Sequence, residues 1–312
     1  MKAIILNQFG GIENFTAADI EIPVPKENEV LVQTKSISIN PVDAKTRVGN
    51  GRASFYEGIK PIILGWDISG VVKEVGAKVT RFKKGDEVFG MIDFPGLGKA
   101  YAEYAVAPAE HLALKPANIS HEEAAAATLA ALTAYKALEL LELKKGEKIL
   151  IHSAAGGVGH YAVQIAKHIG AYVIGTASEK NRSLVKELGA DEFIDYKSQK
   201  LNEVVSDVDK VLDSIGGENV DRSLEVMKTG GIIVSMPSGK NAAVKEKAEA
   251  KGMTGLTMMV NSNDQHINKI AAYLEQGILK SVIFKTYTLD QIPEAHTQIE
   301  SGTTAGKIIV NI

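Results

Sequence analysis

Cysteine is absent from all 312 residues of this sequence. The absence excludes disulfide bonds, thiol nucleophiles and cysteine-ligated metal centres, and it fits a reducing compartment, so we expect a cytoplasmic protein. The sequence also lacks any run of about 18 apolar residues, so we expect no transmembrane helix, and its N-terminus lacks the features of a signal peptide. The formal net charge is −3, so we expect neither a nucleic-acid nor a membrane partner.

What the sequence does contain is two regions of different pattern, which meet near residue 120. Before it, β-branched segments at Met1–Leu6, Glu29–Ser38 and Asp67–Val75 are bounded by turn-forming residues, a pattern typical of strands. After it, apolar strands alternate with helical segments, which is typical of βαβ units around a parallel sheet. We therefore predict an α/β chain with a small barrel-like, β-rich domain and a doubly wound parallel-sheet domain.

The second region contains the elements of that parallel sheet. Ser120 and Glu123 form a capping-box pattern that begins an alanine-rich helix extending to Leu143. The predicted strands are Lys148–Ser153, Tyr172–Thr176, Glu192–Tyr196, Lys210–Ile215 and Gly231–Met236. Helices are predicted at Gly157–Ile169 and from about Lys180 to Leu188, and again in the tail at Gln265–Gln276.

The strongest chemical signal is the loop Ser153–Gly159, which reads Ser-Ala-Ala-Gly-Gly-Val-Gly between a predicted strand and a predicted helix. That context is the one a dinucleotide-binding loop requires. Free N–H groups and the dipole at the helix N-terminus favour an anion, and small residues let the backbone approach it. The candidate residues for the pyrophosphate are Ala155, Gly156, Gly157 and Val158; a tight turn without a ligand is the alternative.

The end of the second parallel strand indicates which nicotinamide cofactor binds. NAD-binding proteins usually have an acidic residue there to hold the ribose 2′-OH, whereas this strand ends in the small, neutral Thr176. Ser178, Lys180 and Arg182 follow and offer a hydroxyl and two cations to a 2′-phosphate. We therefore predict NADPH. One alternative is that Glu179 is the acid that holds the ribose hydroxyls. The other is that Glu179, Lys180 and Arg182 are only solvated residues in the first turn of the next helix.

Five segments together resemble the medium-chain dehydrogenase/reductase superfamily. Within it they are most similar to the zinc-free quinone oxidoreductase branch, which includes alkenal and enone reductases. The segments span the chain: Ile39–Asp43, Leu64–Gly70, Lys84–Val88, Ala154–Gly159 and Gly306–Val310.

The resemblance implies a GroES-like catalytic domain formed by residues 1–120 and 261–312, and a Rossmann cofactor domain at residues 121–260. It also implies a homodimer, for which Gly255–Val260 is the candidate edge strand. The expected reaction is hydride transfer from NADPH to a quinone or an α,β-unsaturated carbonyl. An enoyl-thioester reductase, or a non-catalytic NADPH-binding or redox-sensing protein, is the alternative.

The same resemblance implies that no metal is bound. Where the zinc alcohol dehydrogenases of the superfamily have Gly-His-Glu, this chain has Gly65–Trp66–Asp67. The lobe that carries structural zinc in those enzymes is reduced to a short segment around Pro95–Lys99. Zinc requires nitrogen, oxygen or sulfur ligands that converge, and the histidines of this sequence have no ligand spacing.

Single positions match residues that line the active site in the branch. Asn40 stands where an asparagine lies near the nicotinamide and substrate, although Asn-Pro is also typical of turns. Asp43 is a second catalytic candidate, with a capping or solvated acid as its alternative. Tyr56 is a candidate proton donor, since some enoyl reductases of the superfamily use a tyrosine from this region; an aromatic lid residue is its alternative.

The remaining candidates concern the cofactor. The resemblance places Thr133 near the nicotinamide ring, Tyr196 beside the 2′-phosphate and Lys307 over the carboxamide. Ligands bind at the carboxyl ends of parallel strands, which adds Ser214 and Gly216 after the fourth strand and Met236 and Pro237 after the fifth.

Overall fold

A computed structural model describes residues 1–236 and 239–312. The chain divides into two compact units: Met1–Leu132 with Val260–Ile312, and Thr133–Met259. The first division falls later than the expected boundary at residue 120. The reason is that the helix His121–Ala126 packs against strands of the first unit through three buried alanines, so it belongs to that unit.

The elements are numbered in chain order. The strands are β1 (Lys2–Leu6), β2 (Phe15–Asp19), β3 (Glu29–Ile39), β4 (Ile62–Ile63), β5 (Asp67–Val75), β6 (Glu87–Met91), β7 (Tyr104–Pro108), β8 (Leu112–Leu114), β9 (Lys148–Ile151), β10 (Tyr172–Ala177), β11 (Glu192–Asp195), β12 (Val208–Asp213), β13 (Met227–Ser235), β14 (Thr254–Thr257), β15 (Ile283–Thr288) and β16 (Lys307–Asn311). The helices are α1 (Pro41–Arg47), α2 (His121–Ala126), α3 (Leu129–Leu140), α4 (Gly159–Ile169), α5 (Arg182–Glu187), α6 (Leu201–Val204), α7 (Glu218–Glu225), α8 (Val244–Glu249), α9 (Asp264–Glu275) and α10 (Ile292–Glu300).

The first unit is built on a seven-stranded sheet in the order β15-β16-β3-β5-β6-β8, with β7 also paired to β3. A smaller sheet has the order β2-β1-β4. The antiparallel register pairs Ile308 with Ile39 and Ser38 with Asp67. Lys307, Asn40 and Asp67 therefore meet at one end of three adjacent strands, although they are far apart in the sequence.

The second unit is a six-stranded parallel sheet in the order β11-β10-β9-β12-β13-β14. Its central strands are continuously apolar because helices cover both faces, and Leu150, Val211 and Ile233 are fully buried. The strand order reverses beside β9, which is where ligands bind in open parallel sheets. The predicted fold class, a β-rich unit and a Rossmann-like parallel sheet, is confirmed.

The structure corrects the predicted elements at three places. The helix expected from Ser120 to Leu143 is two helices, α2 and α3, because the Asp67 carboxylate accepts the backbone N–H of Leu129 and caps α3 there. The sequence analysis predicted no helix at α1, where Asn40 was an active-site candidate with a turn as its alternative. The edge strand β14 ends at Thr257, so Met258–Val260 are not part of it. Among the described residues, none of the helices is both long enough and apolar enough to span a membrane.

Candidate functional site

A buried polar cluster lies where β3, β5 and β16 meet in the first unit. Asn40 is only 1 % exposed, and its amide is held at both ends. Its Nδ2 donates to Asp67 Oδ2 at 2.7 Å, and its Oδ1 accepts from Lys307 Nζ at 2.5 Å. The orientation of the amide is therefore fixed, because a flipped amide would turn its N–H groups toward an ammonium.

Asp67 connects this cluster to two further elements. Its Oδ1 accepts the N–H of Leu129 at the start of α3, and its Oδ2 accepts from Asn40 and lies 3.9 Å from Lys307 Nζ. The carboxyl is fully buried, which raises its pKa, while Lys307 and the hydrogen bonds oppose that rise. Burial likewise lowers the pKa of Lys307, and Asp67 opposes that shift.

Asp43 caps the helix that follows Asn40. Its Oδ2 accepts the backbone N–H of Asn40 at 2.7 Å, as a capping acid does at the third position of α1. Complete burial is the main cause that raises the pKa of Asp43 to about 8, and the nearby Asp67 adds to it. The group is therefore a neutral carboxylic acid at neutral pH, which can donate as well as accept a hydrogen bond.

Two buried tyrosines face Asp43. Tyr56 is 1 % exposed, and its hydroxyl donates to the carbonyl of Leu97. Burial and then Asp43 raise the pKa of Tyr56, which weakens it as an acid. The Tyr101 hydroxyl is 2.9 Å from His296 Nε2; burial lowers the pKa of His296 to about 3, so its ring is neutral. This geometry does not favour Tyr56 as proton donor, and that role stays a prediction.

The residues at the position of the zinc ligands do not fit a metal. The Trp66 indole is fully buried, and its Nε1 donates to the carbonyl of Gly96 at 2.9 Å. Gly65, which matches the glycine of that motif, has φ +90°, and a Cβ there would lie 2.4 Å from the Tyr101 ring, so only glycine fits. No group of three acidic, histidine or cysteine residues suited to a metal occurs in the part of the chain that the structure describes.

In the second unit the glycine loop connects β9 to α4 as predicted. Ala154 donates its N–H to the carbonyl of Thr176 at 2.9 Å, which ties the loop to the end of β10. Gly159 begins α4, and a Cβ there would lie 2.1 Å from the carbonyl oxygen of Ser153. Only glycine permits this close approach of helix and loop. Gly156, Gly157 and Val158 are half-buried, whereas Ala155 is 3 % exposed.

His152, which the sequence analysis did not single out, directly precedes the glycine loop and is hydrogen-bonded to two neighbouring elements. Its Nε2 lies 2.9 Å from Ser223 Oγ, and its Nδ1 lies 3.1 Å from Thr176 Oγ1. The Ser223 hydroxyl donates its proton to the carbonyl of Asn219, so Nε2 must be the protonated nitrogen and Nδ1 the acceptor. Desolvation lowers the pKa of His152 to about 4, which keeps this neutral form at physiological pH.

Thr176 is therefore not accessible to a ligand through its side chain. It is 3 % exposed, and its hydroxyl is taken by His152. The expectation that Thr176 itself leaves room for a 2′-phosphate is corrected: β10 continues to Ala177, and the first partly exposed residue after it is Ser178.

The predicted phosphate-binding residues follow that strand. Glu179 and Arg182 form a two-pronged ion pair with N–O distances of 2.7 and 2.8 Å, and the Arg182 guanidinium also stacks over Phe193. Lys180 is exposed and makes no hydrogen bond or ion pair to any described residue. Tyr196 is 61 % exposed and donates its backbone N–H to Ala177. Ser178, Lys180 and Tyr196 thus lie at neighbouring strand ends, while Arg182 is engaged by Glu179.

A second buried residue that the sequence did not single out, Asp213, organises the ends of β12 and β13. Its carboxylate accepts from Ser235 Oγ at 2.7 Å, from Asn219 Nδ2 at 2.9 Å and from the N–H groups of Ile215 and Gly216. The sequence feature that could have indicated this role is Asp-Ser-Ile-Gly-Gly at Asp213–Gly217, at the end of a predicted strand.

The other predicted cofactor residues lie at strand ends and in α3, and their roles stay predictions. Ser214 is partly buried after β12, and Gly216 follows with φ +71°. Met236 is 8 % exposed and donates its N–H to the Asp213 carbonyl. Thr133 is 7 % exposed in α3. Pro237 lies outside the described residues.

Comparisons with known proteins found two matching family models and several similar proteins. Residues 26–117 match the family described as alcohol dehydrogenase GroES-like domain, and residues 188–310 match the family described as zinc-binding dehydrogenase. The chain is 34 % identical to the 2-methylene-furan-3-one reductase of Solanum lycopersicum over 100 % of this chain and 79 % of that protein. It is 33 % identical to the NADPH-dependent alkenal/one oxidoreductase, chloroplastic, of Arabidopsis thaliana over 99 % of this chain and 79 % of that protein. The structure of the quinone oxidoreductase from Coxiella burnetii superposes with a TM-score of 0.95 at 35 % identity, covering 100 % of this chain and 99 % of that one.

Proposed function

Because the chain belongs to the medium-chain dehydrogenase/reductase superfamily, in its quinone oxidoreductase and enone reductase branch, we propose that it is an NADPH-dependent reductase of quinones and enones. The main observation that supports this proposal is the glycine loop, which lies where the strand order of the parallel sheet reverses. Relatives of the chain are named for the reduction of enones and related compounds. NADPH supplies a hydride when bound, and the protein supplies position and electrostatics.

The conjugated acceptor follows from the cluster around Asn40. Without a metal, nothing in this cluster polarises the oxygen of a simple alcohol strongly, whereas a quinone or enone carbon is electrophilic by conjugation. Such a substrate needs a held orientation and a proton. Asn40 is the residue that orients cofactor and substrate, and Asp43 is the neutral acid of the cluster.

The choice of NADPH over NADH rests on the residues after β10. A 2′-phosphate carries close to two negative charges and pairs well with a free cation. Lys180 has no competing partner among the described residues, and Ser178 and Tyr196 lie beside it. Glu179 is neutralised by Arg182 and is therefore a weak candidate for holding the ribose hydroxyls. Ala155, Gly156, Gly157 and Val158 take the pyrophosphate, and Thr133, Ser214, Gly216 and Met236 take the nicotinamide half.

We further propose a cytoplasmic homodimer that acts without zinc, nucleic acid or membrane. The absence of cysteine fits a reducing compartment. β14 ends the parallel sheet and pairs only on its β13 side among the described strands, so its outer edge offers unpaired backbone groups to a second copy.

Steady-state assays with NADPH and a panel of quinones, enones, an enoyl-thioester and simple ketones test the function. We expect quinones and enones to be reduced, and NADP to give no oxidation of ethanol-like alcohols. The Gly159→Val variant is the negative control, since its side chain cannot fit against Ser153. Faster turnover of a simple alcohol or of the enoyl-thioester than of every quinone and enone would contradict the proposal, as would NADPH binding without any turnover.

A further inference from the structure

The Lys307 ammonium is buried and is held by groups of its own unit. The residue is 3 % exposed, and its ammonium is surrounded by three oxygen atoms. Nζ lies 2.5 Å from Asn40 Oδ1, 3.4 Å from the carbonyl of Ile39 and 3.9 Å from Asp67 Oδ2. The contacts to Asn40 and Ile39 are hydrogen bonds, and the contact to Asp67 is an ion pair without a hydrogen bond.

The cluster is also balanced in charge. It holds one ammonium and two carboxyl groups, Asp43 and Asp67, which are all buried. Two ionised carboxylates beside one ammonium would leave a buried net charge, which is strongly unfavourable. Asp43 resolves the imbalance because burial and the nearby Asp67 hold it as the neutral acid, and the other ionisable groups that face it, Tyr56 and Tyr101, are neutral phenols.

We propose that Lys307 is a positioning residue that acts through Asn40 and makes no direct contact with the nicotinamide carboxamide. Its ammonium fixes the Asn40 amide from the oxygen side while Asp67 fixes it from the nitrogen side. The inference rests on the proposed function in one respect, that Asn40 orients the cofactor or the substrate. It replaces the expectation, drawn from family resemblance, that Lys307 closes over the cofactor.

Kinetics separate the two roles. In Lys307→Met the Asn40 amide loses the donor on its oxygen side and is held only by Asp67. We therefore expect kcat to fall about tenfold or more, while the Kd of NADPH changes by less than about twofold. Lys210→Met is the matched control: Lys210 is also buried, at 8 % exposure, and lies near Glu147 in the second unit. It should lose stability but keep kcat. A rise in the Kd of NADPH with kcat unchanged would show direct contact and overturn the proposal.

The double variant Lys307→Met with Asp67→Asn distinguishes hydrogen bonding from charge balance. It removes both charges of the buried pair, so the midpoint of urea unfolding should recover relative to Lys307→Met. Its kcat should stay low, because Asn40 Oδ1 still lacks its donor. Recovery of kcat together with stability would mean that Lys307 only balances charge, which contradicts the positioning role.

Lysine modification of the wild-type protein tests the inference even where no variant folds and no substrate turns over. Reductive methylation followed by mass spectrometry should label the exposed Lys180 in the cofactor-free protein. It should leave Lys307 unlabelled with or without NADPH. Labelling of Lys307 in the cofactor-free protein, with protection by NADPH, would place its ammonium in an open cofactor site and refute the proposal. Absence of turnover with the same unlabelled Lys307 would count against the proposed function alone.

Discussion

The imidazole of His152 and the hydroxyl of Thr176 lie 3.1 Å apart at the ends of the adjacent strands β9 and β10. The contact joins the residue that precedes the glycine loop to the residue whose carbonyl accepts the N–H of Ala154. In the neutral tautomer Nε2 donates to Ser223 Oγ and Nδ1 accepts from the Thr176 hydroxyl. Desolvation favours this form because it lowers the pKa of the ring to about 4. The cofactor loop is thus anchored by a histidine that is neutral at physiological pH.

This anchor predicts acid sensitivity. The pKa of His152 falls from an ordinary 6.5 to about 4 on folding, so between these values the unfolded chain binds the extra proton. Stability should therefore fall as the pH drops from about 6.5 to 4, by up to about 1.4 kcal/mol per pH unit from this group. Urea unfolding of the wild type and of His152→Gln across that range measures it, and the variant should show the smaller slope.

A control for this prediction is His296→Gln, since His296 is the other histidine whose pKa burial lowers strongly, to about 3. It should also reduce the slope, but with no effect on NADPH affinity, because His296 contacts Tyr101 and not the glycine loop. Equal slopes in wild type and His152→Gln would mean that His152 is not held neutral.

Cofactor choice gives a second prediction. Lys180→Ala should weaken NADPH about tenfold and leave NADH nearly unchanged, since it removes one charge-assisted contact to the 2′-phosphate. Lys186→Ala is the matched control, because Lys186 donates to the carbonyl of Asp191 and is not a candidate for the phosphate. Michaelis constants for both cofactors decide the outcome.

The Glu179→Gln variant tests the alternative that Glu179 holds the ribose hydroxyls of NADH. The change releases Arg182 from its ion pair, so NADPH should bind at least as tightly as in the wild type. A wild type that prefers NADH, together with a variant that loses this preference, would identify Glu179 as the ribose acid and contradict the NADPH assignment.

Metal independence is a third prediction. Trp66 is buried and hydrogen-bonded to Gly96, and Asp67 is already engaged by Asn40, Leu129 and Lys307. Prolonged incubation with a chelator should therefore leave quinone reduction unchanged, and elemental analysis should find no stoichiometric zinc. Activity that is lost on chelation and restored by zinc would contradict this.

Local sequence patterns predicted the parallel strands well, because strands buried on both faces must be continuously apolar, as Ile149–Ile151 is. The glycine loop was equally visible, since its residues are consecutive. The partners of Asn40 were not visible: Lys307 lies 267 positions away and is brought opposite Asn40 only by the register of β16 with β3. The role of His152 was hidden for the same reason, because its partners Thr176 and Ser223 come from other elements.

Asp43 gives a prediction of the opposite sign to that of His152. Its pKa rises from an ordinary 3.8 to about 8 on folding, so the folded protein holds a proton that the unfolded chain releases. Between about pH 4 and pH 8 this group therefore lowers stability as the pH rises, by up to about 1.4 kcal/mol per pH unit. Urea unfolding between pH 5 and pH 9 measures that slope.

Asp43→Asn resembles the neutral acid in shape and can still accept the N–H of Asn40, so it should fold and be no less stable than the wild type at pH 8. Its slope between pH 5 and pH 8 should be smaller by about one proton. Asp43→Ala is the control for the cap: it also removes the titration but loses the hydrogen bond to Asn40, which costs about 1 kcal/mol. An unchanged slope in both variants would show that Asp43 is ionised in the folded protein, and a second buried negative charge would then have to be balanced beside Asp67 and Lys307.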